Sequence, residues 1–197
     1  MIAFVEGSLI EKDPTYVVIN VGGLGYHIKI SLNTYGDIKE KDKCKLHTHF
    51  HVKEDAQTLF GFSDVAERKR FLQLISISGV GPSTGLMVLS SLSAEELASA
   101  IINGDVKTIT SVKGIGQKTA QRIILELKDK MSKEDLLDKA VGITLNKGNT
   151  MKHEALSALT TLGFNKSGAE KAVDQILKET SEEVSLEELI KLALKRA

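Results

Sequence analysis

Two periodicities divide the chain. Through residue 62 the apolar positions fall at every second residue or in short β-branched runs. Tyr16-Val17-Val18-Ile19-Asn20-Val21 ends at Gly22-Gly23, and Tyr26, Ile28 and Ile30 alternate with His27 and Lys29. Leu46, Thr48, Phe50 and Val52 alternate with His47, His49 and His51, and Gln57-Thr58-Leu59-Phe60-Gly61-Phe62 closes the run. Successive side chains of a strand point to opposite faces. The spacing therefore predicts about five short strands joined by glycine-containing turns, as in a small antiparallel barrel or sandwich.

From residue 63 the period becomes helical. Ser63 or Asp64 can cap a helix running through Arg68-Lys69-Arg70-Phe71-Leu72. Ser93-Ala94-Glu95-Glu96 has the spacing of a capping box, Gly104 reads as the stop of that helix, and Asp105 as the cap of the next. Residues 132–149 lose the pattern, and Gly142, Asn146, Lys147, Gly148 and Asn149 make them read as a flexible linker. Leu156, Leu159 and Leu162 then precede a Gly163-Phe164 turn, followed by Ala169, Ala172, Val173, Ile176 and Leu177, and by Leu186, Leu189, Ile190 and Ala193. The fold class is α+β. A five-stranded OB-like β-barrel occupies 1–63, an all-α segment 64–131, a linker 132–149, and a small three-helix domain, near the lower size limit for independent stability, 150–197.

Within the all-α segment one element occurs twice. Ser76-Ile77-Ser78-Gly79-Val80-Gly81 matches Ser111-Val112-Lys113-Gly114-Ile115-Gly116, 35 residues later. Thr84 falls opposite Thr119, and Val88-Leu89 opposite Ile123-Ile124. Glycine lets the backbone turn sharply and a ligand come close. The helix that follows points unpaired N–H groups and its positive dipole end at that ligand, which suits a phosphate. One such turn is often only a tight helix–helix connection; the duplication with matched flanks favours two phosphate grips on one nucleic-acid backbone. The candidate contacts are Gly79, Val80, Gly81 and Ser83 in the first copy, and Gly114, Ile115, Gly116, Lys118, Thr119 and Arg122 in the second, with Lys113 nearby. The turn residues would present amides, and Lys118 and Arg122 charge-assisted contacts.

Composition narrows the classes. The chain has 26 basic and 26 acidic residues, which counts against a general polyanion binder. The distribution softens that objection: residues 1–63 carry 7 basic and 8 acidic groups, 64–131 carry 9 and 7, and 132–197 carry 10 and 11. The positive excess falls on the segment with the hairpins. Cys44 is the single cysteine, so no internal disulfide is expected and a thiolate metal cluster is disfavoured. The first residues lack a basic n-region and no apolar run reaches the roughly 20 residues of a membrane span; the expected location is the cytoplasm, with no membrane partner. Gln117 separates Gly116 from Lys118, so the P-loop spacing is absent, and Gly23-Leu24-Gly25 lacks the third glycine of a dinucleotide site. No catalytic residue, cofactor or metal is expected.

The paired hairpins resemble the helix-hairpin-helix family, which contacts DNA through its phosphates with little base preference. The likeness extends along the chain to the RuvA family of Holliday-junction-binding proteins. Met1-Ile2…Gly7…Ile10-Glu11-Lys12, Val21-Gly22-Gly23-Leu24-Gly25-Tyr26, Lys53-Glu54-Asp55-Ala56-Gln57…Leu59-Phe60-Gly61-Phe62 and both hairpins carry it; over the last 48 residues it rests on position and the Leu-Gly-Phe turn. The resemblance implies a homotetramer, with an octamer as the alternative, that holds four-way junction DNA open and flat. It implies that the carboxy-terminal domain engages the RuvB ATPase, which drives branch migration in recombination and repair, and it admits the RuvC resolvase as a further partner. By themselves Glu54 and Asp55 read as a solvated hairpin tip; in the family pattern they are the acidic pin at the junction centre, where repulsion between their charges and converging phosphates guides strand separation. His47, His49 and His51 share one strand face and read as solvent- or junction-facing. The family pattern also has Lys after the first hairpin and a Lys pair after the second, where this chain has Ser83 and Gln117; fewer cations imply lower affinity or weaker salt dependence. Rival readings are a helix-hairpin-helix repair nuclease or glycosylase, for which Asp105 and Asp129 are the acids in the segment, and a protein-interaction adaptor built on the last domain.

Overall fold

The computed structural model describes residues 1–128, 147–179 and 184–195. The chain divides into two compact units, Met1–Lys133 and Glu134–Ala197. In the first, β1 (Phe4–Asp13), β2 (Tyr16–Val21), β3 (Leu24–Ile30), β4 (Lys43–Val52) and β5 (Gln57–Phe62) close a barrel in the order β1-β2-β3-β5-β4. All neighbours are antiparallel except β3 and β5, paired in parallel through Ile28–Leu59 and Ile30–Gly61. Alternation does the sorting: Val17, Ile19, Ile28, Ile30, Leu46 and Leu59 fill the interior.

The barrel also carries an element beyond the expected strands. Helix α1 (Leu32–Ile38) lies between β3 and β4. Its signal was local: Ser31 is the N-cap, its hydroxyl accepting from the Thr34 N–H at 3.0 Å. At seven residues it is too short for a visible apolar period.

Helices α2 (Val65–Ile75), α3 (Pro82–Ser91), α4 (Ala94–Asn103) and α5 (Val106–Thr110) follow, with residues 117–128 forming α6. The caps match expectation. The Asp64 carboxylate accepts from the Ala66 and Glu67 N–H groups, Ser93 and Glu96 form the capping box, and Gly104 ends α4 at φ +70°. The core of these helices is continuous with the outside of the barrel: the Phe71 ring of α2 packs at a tilt with its centroid 5.1 Å from that of Phe60 and 4.9 Å from that of Phe62 of β5. The expected segments 1–63 and 64–131 thus pack as one unit.

Two further ties fix this packing. Glu67, only 4% exposed, accepts from the hydroxyls of Ser31 and Thr34, the latter at 2.6 Å. Asn33 donates to the carbonyls of Leu89 (2.7 Å) and Leu92 (3.1 Å), and the Leu32 N–H donates to the Ser90 hydroxyl at 3.1 Å. The histidine row differs from expectation. His49 lies 5.7 Å from Phe71 and His51 6.4 Å from Phe60, both half-buried. α2 covers the outward face of β4 in part, where Phe71 packs against His49, while Lys43 and Lys45 on the same face stay exposed.

In the second unit α7 (Lys147–Thr161), α8 (Lys166–Glu179) and α9 (Leu186–Leu194) pack around Ala155, Leu159, Ala172, Val173, Ile176 and Leu189. The turn at Leu162-Gly163-Phe164 forms as expected: Gly163 has φ +97°, and the Phe164 N–H donates back to the Leu159 carbonyl at 3.1 Å. α7 begins at Lys147, inside the stretch read as linker; linker residues 132–146 lie outside the described residues.

Candidate nucleic-acid interface

The two hairpins are the same structure built twice. Their backbone bonds correspond pair by pair at an offset of 35. Ile77 N–H to Leu74 O (3.1 Å) matches Val112 to Ile109 (3.3 Å), and Val80 to Ile77 (3.0 Å) matches Ile115 to Val112 (3.1 Å). Gly85 to Gly81 (2.9 Å) matches Ala120 to Gly116 (3.0 Å), and Ser76 Oγ to Gln73 O matches Ser111 Oγ to Thr108 O, both at 2.7 Å. Buried side chains correspond too: Ile77 with Val112, Val80 with Ile115, and Val88 with Ile123.

The four glycines divide into two kinds. Gly79 and Gly114 have φ of +90° and +86°, a region that L residues rarely adopt, so the chain itself requires glycine there. Gly81 has φ −83° and caps α3; Gly116 also lies outside the positive-φ region. A Cβ added at either meets nothing within 4 Å. The chain's own fold makes no demand for glycine at these two positions. An added Cβ at Gly116 would meet open space, so neither backbone conformation nor packing within the chain accounts for glycine there.

The amide assignment also changes. The N–H groups of Val80 and Ile115 donate within their hairpins and their side chains are buried, so these residues anchor the turns. The open donors are those that precede the first intrahelical bonds, made by Gly85 and Ala120. They are Gly81, Ser83 and Thr84 on α3, where Pro82 has no N–H and no side chain caps the helix, and Gly116, Gln117, Lys118 and Thr119 on α6. Among the described residues no side chain accepts from them. Each helix start is therefore an uncapped, positive dipole end facing solvent.

The side chains around the two ends are unequal. Lys113, Lys118 and Arg122 are exposed at the second, and Thr119 is half-buried. Arg122 Nε donates to Glu126 Oε1 at 2.8 Å, an i,i+4 pair that weakens its pull on an anion and that the sequence spacing alone could have revealed. At the first end the exposed side chains include Ser78, Ser83 and Met87, the positions equivalent to Lys113, Lys118 and Arg122. Met87 was not singled out from sequence; its Sδ lies 3.9 Å from where a Cβ on Gly114 would sit.

Glu54 and Asp55 are exposed at the tip between β4 and β5, closed by the Lys53 N–H donating to the Ala56 carbonyl at 2.8 Å. Asp105 is the cap of α5. Its carboxylate accepts from the Thr108 hydroxyl (2.6 Å) and N–H (3.1 Å), which hold its pKa below the ordinary value. Those bonds give it a structural task. Asp129 lies outside the described residues. Among the described residues no group of three or more His, Cys, Asp or Glu is placed to hold a metal ion, and no single helix is long and apolar enough to cross a membrane.

Residues 1–61 match the family model for the RuvA N terminal domain, 71–129 that for a SAM-like helix-hairpin-helix tandem, and 150–197 that for the RuvA C-terminal domain. The chain belongs to the RuvA family. Among curated RuvA relatives, the Holliday junction branch migration complex subunit RuvA of Cytophaga hutchinsonii is 56% identical over 198 residues, covering 99% of each chain. That of Christiangramia forsetii is 53% identical over 196 residues, covering all of both. The helix-hairpin-helix tandem match begins at residue 71, within α2, and so takes in both hairpins.

Proposed function

We propose that this chain is the non-catalytic, junction-binding subunit of a branch-migration complex, acting on four-way DNA in recombination and repair. The observation that carries the reading is the pair of uncapped helix starts, each opened by a glycine that the fold itself does not need. Each start takes one phosphate oxygen on main-chain N–H groups, and two starts on one rigid unit take two phosphates of one arm. Such contacts fix position without reading bases, as a protein that travels through any sequence requires. Lys118 and Arg122 add the charged contacts.

One chain grips one arm, so a four-armed ligand calls for four copies in cyclic symmetry: a homotetramer, or an octamer if a second ring closes over the other side. The names of the relatives, and the family match over 150–197, support the three-helix domain as the element that meets the RuvB ATPase; RuvC is a further candidate partner. Glu54 and Asp55, at an exposed tip, serve as the acidic pin. The direct test is gel-shift binding of a synthetic four-way junction against linear duplex of equal length. Preferential binding of the junction is expected, and equal affinity would overturn the reading. Mg²⁺-dependent cleavage of the junction by the purified chain would favour the nuclease alternative.

A further inference from the structure

The two phosphate grips are geometric equals but electrostatic unequals. The second has Lys118 and Arg122 on its own helix, whereas the first has Ser83 and Met87 at the same positions. Two matched N–H arrays, the first one donor short at Pro82, should differ in strength unless a cation reaches the first from elsewhere. The structure offers one.

A groove of about 420 Å³ runs between α3 and the barrel. Ser83 and Met87 line one wall; Tyr16, His27 and Lys29 line the other. Among the described residues that line it, Lys29 is the single formally charged one and none is acidic. His27 and Lys29 are both exposed on the outward face of β3, and the Tyr16 ring stacks on His27 at 4.5 Å. The walls are fixed to each other. Three residues after Lys29, the Leu32 N–H donates to Ser90 near the end of α3, and Asn33 donates to the Leu89 and Leu92 carbonyls. The end of β3 is therefore fixed against α3, and the exposed Lys29 side chain lines the same groove as Ser83 and Met87 at the start of that helix.

We propose that Lys29, on the barrel, supplies the missing cation of the first hairpin, so that the phosphate held by the Gly81 and Ser83 N–H groups also meets an ammonium from β3. The ligand is a backbone phosphate of the DNA arm. The first grip is thus shared between barrel and helices, and the second is built from helices alone. This rests on the reading of the hairpins as phosphate sites.

The test measures junction affinity against salt for the full chain and four variants. Lys29→Ala should weaken binding about three- to tenfold and lower the salt slope by about 1, as expected for one lost phosphate contact. Lys43→Ala, an exposed lysine on β4, is the control and should change neither. Adding Ser83→Lys to Lys29→Ala places a cation where the second copy has Lys118 and should restore both affinity and slope. A Lys29→Ala protein that matches the control overturns the inference, and so does a loss that Ser83→Lys fails to restore, because Lys29 would then act elsewhere. Gly81→Ala separates the two levels. If it loses junction binding while Lys29→Ala does not, the hairpin stands and the barrel contact falls; if neither matters, the hairpin reading itself fails.

Discussion

At the scale of single residues, the contrast between paired glycines does the most work. Gly79 and Gly114 sit at positive φ, so replacing either with Ala should destabilise the fold by about 1–2 kcal/mol, read as a lower denaturant midpoint. Gly81 and Gly116 have neither positive φ nor a neighbour for a Cβ. Gly81→Ala and Gly116→Ala should melt like the parent yet bind junction DNA about tenfold less tightly each, in line with weakening one charge-assisted hydrogen bond. Parental affinity in a folded variant would contradict this. Lys118→Ala should weaken binding evenly across sequences and lower the salt slope by about 1; a sequence-dependent loss would argue against backbone readout. Glu126→Gln frees Arg122 from its partner and should strengthen binding modestly. The spacing of the glycines was legible in the sequence. Their division into those the fold requires and those it does not was not, because φ and the space around a missing Cβ are properties of the folded backbone.

Between elements, the barrel and the helices are joined through two titratable side chains with opposite linkage, buried Glu67 and half-buried His49. Burial raises the pKa of Glu67 above its ordinary 4.5, the nearby Asp64 and Asp37 charges add to the rise, and the bonds from Ser31 and Thr34 oppose it. The native state then holds a proton that the unfolded chain releases, so this group's contribution falls as pH rises from about 4.5 through the raised native value. Glu67→Gln should flatten that part of a melting-temperature profile; an unchanged profile would contradict the assignment. Burial lowers the pKa of His49 below 6.5, helped by His51 and Arg68. Its contribution is present above about 6.5 and lost as pH falls through the depressed native value. Neither role was readable in advance. Glu67 occupies an ordinary first-turn position of a capped helix, and the alternation of His47, His49 and His51 with Leu46 and Thr48 gave the correct faces of β4 but not what covers the outer one. Caps and turns were legible because their signals are local: Asp64, the Ser93–Glu96 box, Gly104 and Gly163 each act within a few residues. The barrel's closure, the parallel β3–β5 pairing and the tie from Asn33 to α3 depend on contacts between distant residues and had no such signal.

For the molecule as a whole, the proposed function joins two grips on one unit to an assembly of several copies. Exposed carboxylates at Glu54 and Asp55 are far from any need of the fold, so Glu54→Ala/Asp55→Ala should leave junction affinity intact and change the rate of ATPase-driven branch migration; an unchanged rate would reduce the pair to turn residues. Sedimentation with and without junction DNA should give a species of four or eight copies, and a monomer bound to the junction would contradict fourfold gripping. The central claim is that main-chain N–H groups at two matched helix starts hold phosphates of one DNA arm. A crystal structure of the chain bound to a four-way junction measures this directly. The account predicts phosphate oxygens about 2.9 Å from N–H nitrogens at the Gly81–Thr84 and Gly116–Thr119 starts, on the same arm. Hairpins turned away from the DNA, or phosphates held by side chains alone, would contradict it.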